Sequence, residues 1–285
     1  MTTTPRHALV VGGGTMGTGI AYVLALAGHA VTLVEPDGAR ADAALTAISE
    51  AAHKAAARGR LDAATADDLP ARITTLPAIA AAPSRPDVAV EAVPERADLK
   101  REVLSAIEKL EPGLLATNTS GLPVTGLAGV LDRPDRFLGL HFFNPVWSMP
   151  LVEIVVGEHT AAETVDSARA LVTAFGKESI VVRDVPGFAT SRLGVAIGLE
   201  AMRMLEEGVA EAADIDKAME LGYRHPMGPL RLTDLVGLDV RLDIARHLEA
   251  SLGPRFTPPG ILVRLVEEGR LGKKTGHGFY DWNAS

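Results

Sequence analysis

The chain contains no cysteine. Disulfides, thiolate metal sites and a cysteine nucleophile are therefore excluded, and any chemistry must come from other side chains. Aromatic residues make up only 4%, and no uncharged apolar run approaches the roughly 20 residues that cross a bilayer. The opening MTTTPRHALVV has no long apolar segment of the secretory kind. These absences predict a cytoplasmic protein with no membrane partner. Basic residues are also in deficit: 28 Lys and Arg against 36 Asp and Glu leave a net charge of −8. Nucleic acid is thereby disfavoured, because its binding draws on clustered cations. An anionic substrate would need a local basic patch, since the overall field does not attract it.

What is present is an ordinary globular composition, 47% hydrophobic and 22% charged over 285 residues, enough for about two domains. One stretch organises the rest, LVVGGGTMGTGIAYVLALAGHAVTLVE at 9–35. An apolar strand runs into Gly12, Gly14 and Gly17 at GxGxxG spacing, a helix follows over 15–27, and a second strand over 31–34 ends on Glu35. The first glycine serves the tight turn, the second lets a pyrophosphate approach bare backbone, and the third allows close helix–strand packing. The N–H groups at the helix start, around Thr15 and Met16, then face the phosphates. A carboxylate at Glu35 accepts hydrogen bonds from a ribose diol and repels a 2′-phosphate, so the expected cofactor is NAD rather than NADP.

Two alanine-rich helices over about 38–70 then make an excursion from the sheet, with Lys54, Arg58 and Arg60 near the tip of the longer one. Strands are expected at 73–75, 88–93, 114–117, 137–143, 151–156 and 179–183. Helices are expected at 96–110 and 160–175. Alternation of this kind predicts an α/β fold, a Rossmann-type doubly wound parallel sheet covered on both faces. Ligands sit at the carboxyl ends of such strands, where Glu95, Lys100, Asn118 and Ser120 fall. Beyond 186 only helices are expected, at 188–207, 212–221, 230–252 and 260–268, with Leu193, Ile197, Leu235 and Leu238 supplying a core and a dimer face. The predicted domains are therefore 1–185, binding NAD, and 186–285, all-α.

Eight histidines are present, and His141 stands apart because it lies inside the apolar run LGLHFFNP. Glu153, twelve residues on, is equally out of place in LVEIVV. Two ionisable groups in consecutive buried strands are costly unless paired. Such a pair beside a nicotinamide can be a catalytic dyad, the carboxylate orienting the histidine as general base; it can also be a structural ion pair.

VVGGGTMGTGIA, NTSGLPVT, GLHFFNPV, LVEIV, DVPGF, HPMGPL and GKKTGHGFY, in this order and at these intervals, resemble the 3-hydroxyacyl-CoA dehydrogenase family, and in particular its bacterial 3-hydroxybutyryl-CoA members. The resemblance spans about residues 6–282. It implies reversible NAD-dependent oxidation of an (S)-3-hydroxyacyl-CoA, a cleft between the two domains, and a homodimer. By motif it implies His141 as base, Glu153 as its partner, Ser120 on the substrate 3-oxygen, Asn144 near the nicotinamide, and Glu95, Lys100 and Lys274 as cofactor contacts. Coenzyme A contacts fall near Ala51 and Arg58; alanine lacks a side-chain hydrogen bond, leaving Lys54 and Arg58 to hold phosphates. One departure is Ser191, in PGFATSR, where the family usually has asparagine: a hydroxyl is shorter and cannot bridge two partners as an amide can. Trp147 is bulky for its loop and would narrow the pocket toward short acyl chains. Two other readings remain open: a same-fold dehydrogenase of a free hydroxy acid, of L-gulonate or carnitine type, and an NAD-binding protein without catalysis.

Overall fold

A computed structural model describes residues 6–283. The chain divides into two compact units between Asp184 and Val185.

The first unit is built on one eight-stranded sheet. Its strands are β1 (His7–Val11), β2 (Ala30–Val34), β3 (Ile73–Leu76), β4 (Val88–Glu91), β5 (Leu114–Thr117), β6 (Phe137–Phe142), β7 (Leu151–Val156) and β8 (Glu178–Arg183). Their spatial order is β3-β2-β1-β4-β5-β6-β7-β8. The chain therefore reverses its direction of winding between β1 and β4, which opens a crevice at the carboxyl ends of those two strands. The helices are α1 (Thr15–Leu26), α2 (Gly38–Ala57), α3 (Ala63–Asp68), α4 (Ala97–Glu108), α5 (Val124–Ala128) and α6 (Ala162–Ala174). Helices α2 and α3 form the expected excursion, each capped by an aspartate: Asp37 accepts from Arg40 N–H and Asp62 from Thr65 N–H. Ile20, Leu24, Leu33, Ile48, Val10 and Leu138 are sealed into the core, the near-continuous apolar runs that a doubly covered sheet requires.

The sheet is not wholly parallel. β6 and β7 pair antiparallel, with His141 opposite Glu153, while the other pairs are parallel. The physical reason is length: the eight residues between Phe142 and Leu151 are too few for a crossover helix, so the chain must turn back on itself. α5 was not expected. Its five residues, VTGLA, follow a proline and contain a glycine, which leaves no periodicity to read.

The second unit contains α7 (Thr190–Glu206), α8 (Ala212–Lys217), α9 (Pro229–Val236), α10 (Leu238–Leu252) and α11 (Gly260–Glu267). A π-helical turn, Ala218–Gly222, follows α8. The single helix expected over 230–252 is two helices, because Gly237 adopts φ +105°, outside the helical region, and breaks the hydrogen-bond ladder. Leu238 is buried as expected, but Leu193, Ile197 and Leu235 lie on the surface, Leu193 at 63% exposure. The inward stripe of α7 is instead Val195, Leu199 and Met202, and residues two positions from Val195 fall on the far side of a helix with 3.6 residues per turn. Among the described residues, no helix is long and apolar enough to cross a membrane.

Candidate active site

Three groups of side chains converge at the carboxyl ends of the strands. The first is the glycine turn after β1. Gly12 has φ +110°, and a Cβ there would lie 2.6 Å from the Ala92 carbonyl oxygen; one on Gly17 would lie 1.8 Å from that of Gly12. Around Gly14 a Cβ would meet nothing within 4 Å. The first and third glycines are thus demanded by packing, and the second leaves open space. No side chain caps α1, and its first turn carries no acid, so the N–H groups of Thr15 and Met16 remain available to an anion. The turn therefore fits a dinucleotide pyrophosphate. Glu35 stands beside it, Oε2 accepting from Gly13 N–H at 3.0 Å and Oε1 from Asp37 N–H at 3.0 Å, with Arg40 ion-paired at 3.2 Å.

The second group is a buried charge network. Glu91, at the end of β4, pairs in register with Thr117 on β5. Its carboxylate accepts from Thr117 Oγ1 at 2.6 Å, from Val93 N–H at 2.7 Å and from the Lys100 ammonium at 2.8 Å. Lys100, only 1% exposed, also meets Glu95 at 3.3 Å. Glu95 in turn accepts from Thr119 Oγ1 at 2.5 Å and from the backbone N–H groups of Ser120 and Gly121 at 2.9 and 3.2 Å. Burial works against the charged form of Glu95, but Lys100 and the donors from Thr119 and Ser120 outweigh it and hold the carboxyl below the ordinary glutamate range. The network fixes the loop that carries Ser120.

The third group is the cross-strand pair. His141 Nδ1–H donates to Glu153 Oε2 at 2.7 Å, with the carboxylate fully buried and the imidazole 6% exposed. Antiparallel register alone puts the two side chains on the same face. The Phe143 ring lies 4.5 Å from the imidazole. Next to it, Asn118 Oδ1 accepts from Phe142 N–H at 3.0 Å, tying the ends of β5 and β6. The Nδ1 bond to the carboxylate fixes the orientation of the imidazole ring.

Glycine turn, Ser120 loop and His–Glu pair thus share the carboxyl-end edge of one sheet. Residues 7–185 match the 3-hydroxyacyl-CoA dehydrogenase NAD-binding domain, and 187–282 match the C-terminal domain of the same family. The chain belongs to the 3-hydroxyacyl-CoA dehydrogenase family. It is 37% identical to a probable 3-hydroxybutyryl-CoA dehydrogenase of Bacillus subtilis, covering 97% of each chain. It is 40% identical to a 3-hydroxybutyryl-CoA dehydrogenase of Mycobacterium tuberculosis, covering 96% of this chain and 97% of that one. The crystal structure of (S)-3-hydroxybutyryl-CoA dehydrogenase from Ralstonia eutropha superposes with a TM-score of 0.91 at 35% identity, over 98% of this chain and 99% of the other. The protein is accordingly an NAD-dependent oxidoreductase of that family.

Within this dehydrogenase, Lys54 and Arg58 line a cavity of about 480 Å³ together with Arg60, Lys177, Tyr22 and Trp147. Trp147 packs edge-on to Tyr22 at 5.9 Å, and the Lys177 ammonium holds its loop by donating to the carbonyls of Val146 and Met149, each at 2.6 Å. Asn144, at the start of that loop, precedes Pro145 through a cis peptide bond. Ser191 and Lys274 belong to the helical unit: Ser191 is in the first turn of α7, and Lys274 is ion-paired with Asp239 at 2.5 Å. The sequence reading missed Glu91, Thr117 and Thr119. Glu91 carried a usable signal, a lone acid in the apolar run VAVEAV, the same anomaly that singled out Glu153.

Proposed function

We propose that this dehydrogenase oxidises short-chain (S)-3-hydroxyacyl-CoA, with 3-hydroxybutyryl-CoA as the representative substrate, and runs in both directions. The observation that carries the reading is the His141–Glu153 hydrogen bond at 2.7 Å between two buried side chains at the end of the sheet. Nε2 of His141 takes the proton of the 3-hydroxyl as the C3 hydride leaves, and the Glu153 carboxylate stabilises the imidazolium that results. Bound NAD supplies the hydride acceptor. Ser120 Oγ, turning its one proton from Glu95 Oε1, donates to the substrate oxygen, its loop held by the Ser120 and Gly121 N–H bonds to Glu95. In reverse, the imidazolium returns the proton to the alkoxide oxygen as hydride reaches C3.

The remaining cofactor assignments extend from the same reading. Gly12, Gly14, Thr15, Met16 and Gly17 hold the pyrophosphate, Glu35 the ribose, and Asn118, Asn144 and Glu95 the nicotinamide side, with Lys100 acting through Glu95. By motif, Lys274 is assigned to the cofactor, and Ser191, in place of the family's asparagine, to the catalytic group with His141, Glu153 and Ser120. Lys54 and Arg58 supply the local cations that an anionic coenzyme A needs in a chain of net charge −8, and Trp147 forms the wall of the same cavity. The exposed apolar side chains Leu193, Ile197, Leu232, Leu235, Val236 and Val240 of the helical unit support a homodimer, since an apolar patch of that kind marks an interface. Specificity for a short-chain 3-oxoacyl-CoA is tested by NADH oxidation with acetoacetyl-CoA, free acetoacetate and a long-chain 3-oxoacyl-CoA. Fast turnover confined to acetoacetyl-CoA is expected, with KM raised about tenfold or more by Lys54→Ala with Arg58→Ala. Equal turnover of free acetoacetate, untouched by those substitutions, would overturn the coenzyme A assignment.

A further inference from the structure

Arg241 sits where a leucine would be expected. On α10 the inward stripe is Leu238, Arg241, Leu242, Ala245 and Leu248, so a guanidinium occupies a core position with only 7% exposure. Burying a charge is costly unless it is paired and hydrogen-bonded. Arg241 makes no ion pair with a carboxylate of the described residues, and its Nε has no hydrogen-bond partner. The two buried carboxylates of the helical unit are committed elsewhere: Asp216 accepts from the N–H groups of Leu230 and Arg231, and Asp234 from those of Phe279 and Tyr280 and from Trp282 Nε1. Burial accordingly pulls the guanidinium pKa downward, with no partner to offset the desolvation.

The facing helix makes room for this head. Gly194 on α7 carries no side chain, and a Cβ there would lie 3.4 Å from Nη1 and 3.8 Å from Nη2. Ser191 is one helical turn before Gly194, on the same side of α7. The arrangement is a cation held in a glycine-lined notch, one turn from the residue that the proposed function places in the catalytic group, with its Nε unpartnered.

We infer that Arg241 recognises the acyl part of the substrate, its guanidinium donating paired N–H bonds to oxygen acceptors that the substrate brings. Two acceptors have the right chemistry: the carbonyl oxygens of a 3-oxoacyl thioester, and a carboxylate at the far end of the acyl chain. A hydroxyl at position 191 is then sufficient, because the donor groups come from α10 instead of from an amide on α7. This inference rests on the 3-hydroxyacyl-CoA reading and adds a specificity-determining residue to it.

The test compares the parent enzyme with Arg241→Met and Arg241→Lys, using saturating NADH and either acetoacetyl-CoA or 3-oxoadipyl-CoA. Arg241→Met is expected to lower kcat/KM at least tenfold, mainly through KM, while the melting temperature holds or rises, because an apolar side chain of similar volume removes an unpaired buried charge. Arg241→Lys, which keeps the charge but loses the fork, should fall between the two. Loss with both substrates identifies the carbonyl oxygens as acceptors, and loss confined to 3-oxoadipyl-CoA identifies the carboxylate. The inference is overturned if both variants stay within about twofold of the parent with both substrates. It is equally overturned if Arg241→Met lowers the melting temperature or dissociates an oligomer while kcat/KM is kept, since the counter-charge would then belong to a second copy. Should Arg241→Met not fold, Arg241→Lys decides alone by the same twofold criterion. A parent silent with both substrates refutes the functional reading itself, before any variant is compared, and takes this inference with it.

Discussion

Replacing Glu153 by glutamine isolates the charge of the carboxylate from its shape. The side chain is fully buried and accepts the Nδ1–H of His141 at 2.7 Å, so an amide of the same size preserves packing while removing the negative charge. A hydrogen bond to a charged partner is worth about 1.5–3 kcal/mol more than none. The imidazolium that forms as the substrate proton is taken loses that stabilisation in the transition state, whereas the neutral ground state loses less. At 1.36 kcal/mol per decade, kcat should fall by about 10- to 150-fold. The assay is NADH oxidation with acetoacetyl-CoA, with NADH affinity measured separately by fluorescence quenching. Affinity for NADH should stay within twofold, because Glu153 is not a cofactor contact. If kcat were unchanged while the melting temperature moved, the pair would be a structural ion pair and the dyad would be refuted.

Four further variants test the packing. Gly14→Ala should leave the melting temperature intact and weaken NADH binding about tenfold or more, because its Cβ enters open space where the pyrophosphate approaches; Gly17→Ala, whose Cβ would lie 1.8 Å from the Gly12 carbonyl oxygen, should destabilise the fold in the same thermal assay. Lys100→Met strands the buried Glu91 carboxylate, and urea unfolding should report a loss of about 3–5 kcal/mol. Glu95, with its folded pKa depressed, contributes stability that is full above the ordinary glutamate pKa of about 4.3 and is lost as pH falls through the lower folded value. The melting temperatures of the parent and Glu95→Gln should therefore converge on acidification; a constant gap would contradict the assignment.

The glycine turn and the strands at Leu114–Thr117 and Leu151–Val156 were legible because local sequence decides them: glycine where backbone contacts forbid a Cβ, and apolar runs bounded by turn residues. His141 and Glu153 were legible as anomalies, ionisable residues among apolar neighbours, although their facing geometry depends on an antiparallel pairing that the alternating pattern did not suggest. Glu91 follows the same rule, but a strand expected to reach 93 hides the acid in its middle; the ladder ends at Glu91 itself. Gly237 looked tolerable inside a helical pattern and is instead a break, because only tertiary context selects its positive φ. Arg241 could not be recognised at all. A lone arginine in an amphipathic helix reads as surface, and only the packing of α10 shows that it faces inward.

Whether His141 is the proton acceptor is decided by how turnover depends on it. Purified His141→Gln and the parent would be compared for NADH oxidation with acetoacetyl-CoA at matched NADH occupancy. Loss of the general base should lower kcat by about 10²- to 10⁴-fold with cofactor affinity retained. Turnover within a few-fold of the parent would contradict the assignment of His141 as the proton acceptor, and with it the mechanism built on its pairing with Glu153.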